Sequence, residues 1–383
     1  MTSPDNTAER TAPRVVAIDL GRGAAVAVMV IVHTLWMYGS PATQESSYGA
    51  FVHFLGKGTP MFLLAMGFSY MLSRRQTLAR SARRGLYILA VGYAMNVLKF
   101  IVPIEVFGTM PETFIEAYGW SSPLSSSQLL YLVGTGDILQ LAGLALIVMG
   151  VVRRYVQSPA GLLVLSFVTA AASGPLHGYR PGIPLIDGLS DLLWGAEWNV
   201  YFPVVPWIAV IFFGMALGTA YLRSSSDPEP VFRRMLPLGA ALATGGAWLC
   251  YVDPDLHLRD FFHLGPGGAV HLMGVSAMLF WFAHRTRNFW TKNALGRFFQ
   301  SCSHRVTSLY VVHWVAICWG MGIVGYHELD VGGVVIASAI VLAVSMGVDK
   351  TLRQVVHRLR HVVATARPTR TSPTGSPTAA TTR

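Results

Sequence analysis

The sequence predicts an all-α, polytopic bundle of about ten membrane-spanning helices with both termini cytoplasmic, and three observations carry that prediction. Hydrophobic residues make up 52% of the 383 positions and charged residues only 13%, where a soluble domain has about 25% charged. The polar residues gather between apolar stretches of about 17–25 residues, the length that crosses a bilayer. Lys and Arg fall almost wholly in alternate connections, as cytoplasmic segments do under the positive-inside rule. The formal charge of +10 is therefore topogenic, and no nucleic-acid partner is expected.

Taken in order, the apolar runs place spans near 15–37, 51–72, 85–102, 127–151, 159–174, 200–222, 235–252, 266–284, 305–325 and 331–349. The first run follows Arg10 and Arg14 and has no small-residue cleavage site, so it reads as a retained helix after a cytoplasmic segment, 1–13. Arg74, Arg75, Arg80, Arg83 and Arg84 sit between the second and third runs, and Arg153 and Arg154 between the fourth and fifth. Arg223, Arg233 and Arg234 separate the sixth and seventh; Arg285, Arg287, Lys292, Arg297 and Arg305 lead from the eighth to the ninth. The opposite face holds Arg180 and Arg259, with acids such as Glu112, Asp187, Asp191, Glu197 and Asp260. Its two longest connections, 103–126 and 175–199, contain "TFIEAYGW" and "LSDLLWGAEW". Each suits a short interfacial helix or an entrance-lining loop as well as it suits an ordinary connection with Trp anchors. The membrane domain is thus 14–349, and 350–383 reads as a basic, largely disordered cytoplasmic tail ending in Pro/Thr/Ser sequence. Cys250, Cys302 and Cys318 show neither a disulfide framework nor a metal spacing, and no metal is expected. The Gly-rich stretches follow no strand, so they read as close helix packing and not as nucleotide loops.

Ionisable residues inside spans point to function. In "IDLGRGAAVAVMVIVH", residues 18–33, Asp19 and Arg22 are neighbours at i,i+3. Eleven further residues at about 100° each bring His33 within about 20° of Arg22, about 16 Å along the axis. Such a stripe would be costly against lipid and should face the bundle interior. Taken singly, Asp19–Arg22 also reads as a helix-start ion pair, and His33 as a satisfied core histidine. Lys57, Asn96, Lys99, Asp137, His271 and His313 fall within other spans. Together they imply a polar cavity, which a transporter or a catalyst needs.

The stretch "RVVAIDLGRGAAVAVMVIVH" resembles the opening helix of the heparan-α-glucosaminide N-acetyltransferase catalytic-domain family, with its Asp-x-x-Arg-Gly start. The Asp-x-x-Arg…His spacing is also similar to bacterial integral-membrane sugar O-acyltransferases, whose first-helix histidine is catalytic. "GKGTPMFLLAMGFSYMLSRR", "RRGLYILAVGYAMN", "GDILQLAGLALI", "YFPVVPWIAVIFFGMALG" and "SLYVVHW" extend the resemblance, in order, over roughly 14–325. Heparan-specific members tend to carry Asn where His33 stands, with the histidine slightly later in the outer loop; here that loop has none until His53.

The resemblance implies a plasma-membrane acyltransferase with acetyl-CoA as donor and a sugar or other small hydroxyl or amine as acceptor. Topology puts Arg22, Arg83, Arg84, Arg297 and Arg305 at the inner mouth as candidates for the donor's phosphates, although each is as well explained by the positive-inside pattern; Asp19 and Lys57 complete the candidate donor-binding set. His33 is the implied general base or acyl relay. Asp137 would orient it or pair with Lys57, while Asn96 or His313 would donate to the oxyanion. A proton-coupled transporter using His33 and Asp137 is the rival reading. Monomer and homodimer stay open.

Overall fold

The computed structural model describes residues 15–73, 76–224, 227 and 229–365. The segment 1–13, Arg74, Arg75 and the tail beyond 365 lie outside them.

Ten helices among the described residues are long and apolar enough to cross a membrane. They are Val16–Tyr38, Ser47–Leu72, Leu78–Val106, Ile138–Tyr155, Pro159–Leu176, Val204–Arg223, Glu229–Val252, Pro266–Arg285, Val306–Val324 and Val331–Leu359. Each expected span has its counterpart. The differences lie in where helices break, and every break has a local cause. The second span stops at Gly56, turns through Lys57 and Gly58, and restarts at Thr59 with Pro60 in the first turn. Pro has no N–H to continue the preceding ladder, and it suits a helix start. The third span passes at Val97–Val106 into a π-helical stretch containing Pro103. The expected fourth span, 127–151, is two helices, Ser126–Val133 and Ile138–Tyr155. Gly134–Asp137 between them is not helical, and Gly136 exchanges backbone hydrogen bonds with Asn199 and Tyr201. The last helix continues to Thr365 instead of ending near 349. Within the two long connections lie the short helices Glu112–Glu116 and Pro184–Trp194.

The sixth span, Val204–Arg223, is apolar on every side, and 89% of its membrane-length window is buried. A helix without a polar face belongs in the middle of a bundle, and here the fifth span and the second half of the second span flank it. Close approach comes from reciprocal glycines: Gly67 faces the backbone of Ile211 and Gly214 that of Leu64. With little hydrophobic drive between helices in lipid, such backbone-level packing supplies much of the association.

The first span touches the ninth, tenth, second and eighth spans and the short helix Ala294–Ser303. Gly23 lies directly under the backbone carbonyl of Phe299, so a Cβ there has no room. Gly23→Val is expected to lower stability by about 1–3 kcal/mol, the usual scale for overpacking, read as the unfolding midpoint of purified protein in detergent. An unchanged midpoint would mean that the first span and Ala294–Ser303 do not meet this closely.

Candidate active site

His33 lies five residues before the end of the first span, 9% exposed, and its partners come from the ninth span. Its Nδ1 stands 2.8 Å from His313 Nε2, and His313 Nδ1 stands 2.8 Å from the backbone carbonyl of Leu309. A carbonyl only accepts, so His313 carries its proton on Nδ1. Lys99 is already a buried cation beside this cluster, and a neutral histidine pair adds no second buried charge. Neutral His313 then accepts at Nε2, His33 donates from Nδ1, and His33 Nε2 keeps its lone pair. These tautomers follow from the hydrogen-bond network. The His33 ring also stacks on Trp314 with centroids 4.1 Å apart, and Trp314 Nε1–H donates to the Tyr310 hydroxyl at 3.0 Å. The motif "SLYVVHW" thus supplies Tyr310, His313 and Trp314 on one side of the ninth span. All three close around a single imidazole.

Behind this aromatic group lies a buried ion pair. Lys99 Nζ is 4.6 Å from the centroid of Trp314 and 4.6 Å from that of Phe100. Its counter-charge is Asp137, 3.7 Å away; Asp137 therefore pairs with Lys99, and the expected Asp137–Lys57 pair does not form. The reason is the break in the fourth span. Asp137 is the N-cap of Ile138–Tyr155, accepting from Ile138 N–H and sharing a capping box with Gln140. Asn96 gives both amide hydrogens to backbone carbonyls, Val133 and Thr135 at 2.8 Å each. It therefore holds the Gly134–Asp137 connection in place, and neither amide hydrogen is left for an oxyanion. His313, with both ring nitrogens engaged, is likewise committed to His33. His271 donates from Nδ1 to the carbonyl of Ala243 at 2.8 Å, as a satisfied core histidine does.

Two cavities meet at Met29. One, of about 880 Å³, opens at the face from which the first span starts and is lined by Arg22, Arg84, Arg305 and Arg353. Tyr310 forms part of its inner wall. Arg22 is set by a triangle: it donates to Asp19 at 3.0 Å and to Ser303 Oγ at 2.9 Å, and Ser303 donates to Asp19 at 3.0 Å. Asp349, buried at the same wall, takes hydrogen bonds from Ser308 and Arg353 and pairs with Arg305. Arg83 and Arg297 do not line this cavity; Arg297 donates instead to the carbonyl of Lys292. The second cavity, of about 150 Å³, is walled by His33, Trp36, His53, Lys57 and Thr59 with apolar side chains including Phe202, Phe261 and Phe262. Its rim is clasped. His263 contacts the Asp260 carboxylate at 3.0 Å through Nδ1 and the Val200 carbonyl at 2.9 Å through Nε2. Partial burial pushes the Asp260 carboxyl up, but hydrogen bonds from the His263 ring and from the backbone N–H groups of His263 and Phe262 outweigh it and hold the pKa at about 2.

The residues that sequence reasoning passed over are Lys99 as the partner of Asp137, Ser303, and the rings of Tyr310 and Trp314. Lys99 and the "SLYVVHW" element were visible as polar or aromatic positions in spans. Nothing in spacing alone says that the first and ninth spans share a wall. Among the described residues the three cysteines are unpaired, and no group of three His, Cys, Asp or Glu converges as a metal site.

Fold and site together define an integral-membrane helical protein with an oriented imidazole on the wall of a small cavity that shares Met29 with a larger, arginine-lined one. Residues 14–248 match the family model described as heparan-alpha-glucosaminide N-acetyltransferase, catalytic. The match covers more than half of the chain, and the chain belongs to that family, one of membrane acetyltransferases. It takes in His33 and ends before His313, whose part in the site rests on geometry. No curated protein matches the chain.

Proposed function

We propose that this protein is an acyl-CoA-dependent acyltransferase of the plasma membrane. It moves an acetyl or similar acyl group to a hydroxyl or amine of a sugar or other small acceptor. The observation that carries the reading is the free Nε2 lone pair of His33, on the wall of one cavity and separated by Met29 from a second cavity lined with arginines. The volume of the arginine-lined cavity, about 880 Å³, lies within the range of small-molecule and cofactor sites. Arg22, Arg84, Arg305 and Arg353 offer planar donor forks suited to phosphate. The positive-inside pattern supports a cytoplasmic position for that mouth, where acyl-CoA is found, with the acceptor entering from the opposite face.

The donor brings an acyl thioester. His33 Nε2 takes the proton from the acceptor O–H or N–H as the acceptor's lone pair forms its bond to the thioester carbonyl carbon. The C–S bond then breaks, and His33 returns the proton to the departing sulfur, leaving acylated acceptor and CoA thiol. His313, donating its Nδ1 proton to the Leu309 carbonyl, keeps the His33 tautomer that makes Nε2 the base. Attack of the same lone pair on the thioester, giving an acyl-imidazole relay, uses the same geometry.

The test is purified protein incubated with acetyl-CoA labelled in its acetyl group and a pool of amino sugars and neutral sugars. Label should pass to an acceptor with equimolar CoA thiol released. Absence of both CoA binding and labelled product would favour the proton-coupled transporter instead.

A further inference from the structure

Among the described residues Lys57 has no counter-charge. Arg22 has Asp19 and Lys99 has Asp137, but among the described residues no carboxylate lies within ion-pair distance of Lys57. The residue lies about 15 Å along the helix from Ser47, well inside the hydrocarbon by length, in the two-residue break of the second span. Irregular backbone at such depth is tolerated where it lines a cavity. An ammonium there costs several kcal/mol unless something pairs with it. Its side chain is exposed and lines the small cavity beside His33.

A second donor faces the same space. Trp36 Nε1–H donates to His53 Nδ1 at 3.1 Å, so a neutral His53 carries its proton on Nε2, where no acceptor among the described residues meets it. The remaining lining is apolar or aromatic apart from Thr59 and His33, and contains no carboxylate. The cavity therefore offers an ammonium, one imidazole N–H and one base, in about 150 Å³, a volume that admits roughly one six-membered ring. The donor's phosphates have their own arginines on the far side of Met29. Lys57 belongs with the other cavity.

Building on the acyltransferase reading, we propose that Lys57 and His53 form an oxyanion subsite in the acceptor cavity. The acceptor accordingly carries a carboxylate or phosphate close to the hydroxyl or amine that His33 deprotonates. Such a group could belong to a soluble sugar acid or sugar phosphate, or to a lipid headgroup.

Calorimetric binding to the full-length protein, with CoA present at saturation to fill the arginine-lined cavity, tests this without turnover. Glucuronate and glucosamine 6-phosphate are compared with glucose and glucosamine. The anionic probes should bind at least about tenfold more tightly, the scale of a hydrogen bond to a charged group. Lys57→Gln should abolish the difference and Lys57→Arg should keep it, with CoA affinity unchanged in both. Repeating the titration in nanodiscs containing phosphatidate and in neutral ones separates the sources: competition by phosphatidate assigns the oxyanion to a lipid. Equal binding of the anionic probes and their parent sugars, no binding of either, or a loss of CoA affinity in Lys57→Gln would each overturn the proposal. Because no readout needs acyl transfer, failure here is distinct from failure of His33 as the base.

Discussion

Replacing His33 by alanine is expected to lower acyl transfer about 10²–10⁴-fold, the usual contribution of a positioned general base, while leaving CoA affinity nearly unchanged. The separation follows from where the groups stand. His33 lines the small cavity, and the residues suited to phosphate line the other. The substitution also empties the face of Trp314, so the midpoint of unfolding should be measured beside the rate. His33→Gln controls for packing, since it preserves bulk and a hydrogen bond to His313 without a titratable nitrogen. His313→Gln should give a smaller rate loss, because it disturbs the His33 tautomer without removing the base. Wild-type turnover in His33→Ala would remove His33 from the reaction. A loss of CoA binding equal to the loss of rate would make it a residue of the donor cavity.

The spans were legible because bilayer crossing depends on local composition, and composition is what a sequence displays most directly. Arg22 and His33 were legible as one stripe because they share a helix, and helical geometry relates them without tertiary information. Helix breaks were harder to see. A capping box at Asp137–Gln140 stands in the sequence, yet the apolar run on both sides masked it, and the fourth span read as continuous. That error moved Asp137 from a cap beside Lys99 to a mid-helix position open to Lys57. Gly56, Gly58 and Pro60 likewise mark the break in the second span, and it is this break that gives Lys57 to the small cavity. The hydrogen bond between His33 and His313 joins residues 280 positions apart. Two histidines in separate spans can be recognised as candidates, but only the packing of the first span on the ninth makes one the positioner of the other. The same holds for Arg83 and Arg84. Adjacent residues on a helix point about 100° apart, and only Arg84 turns to the arginine-lined cavity.

Breaking the Lys99–Asp137 pair from one side should have the largest effect on stability. Both side chains are almost wholly buried, and the 3.7 Å separation leaves Asp137 Oδ2 with no hydrogen bond. The charge of Lys99 compensates it, with the Tyr310 hydroxyl nearby. Lys99→Met keeps the volume and removes that charge, leaving a buried carboxylate with the Ile138 N–H and the Tyr310 hydroxyl beside it, a change worth about 3–5 kcal/mol in buried pairs. Asp137→Asn leaves the opposite charge unpaired, although an asparagine still serves as an N-cap. Combining the two removes both charges and should recover most of the loss, because a neutral pair of similar size does not need the counter-charge. Unfolding of the four proteins in mixed micelles gives the double-mutant cycle, and a coupling energy near zero would show that the two charges do not compensate each other. The recovered double variant then isolates what the cation does for the site. Lys99 sits over the ring on which His33 stacks, so a stable double variant with slower transfer and unchanged CoA affinity is the expected result. Full activity in that variant would confine the pair to holding the Gly134–Asp137 connection against the bundle.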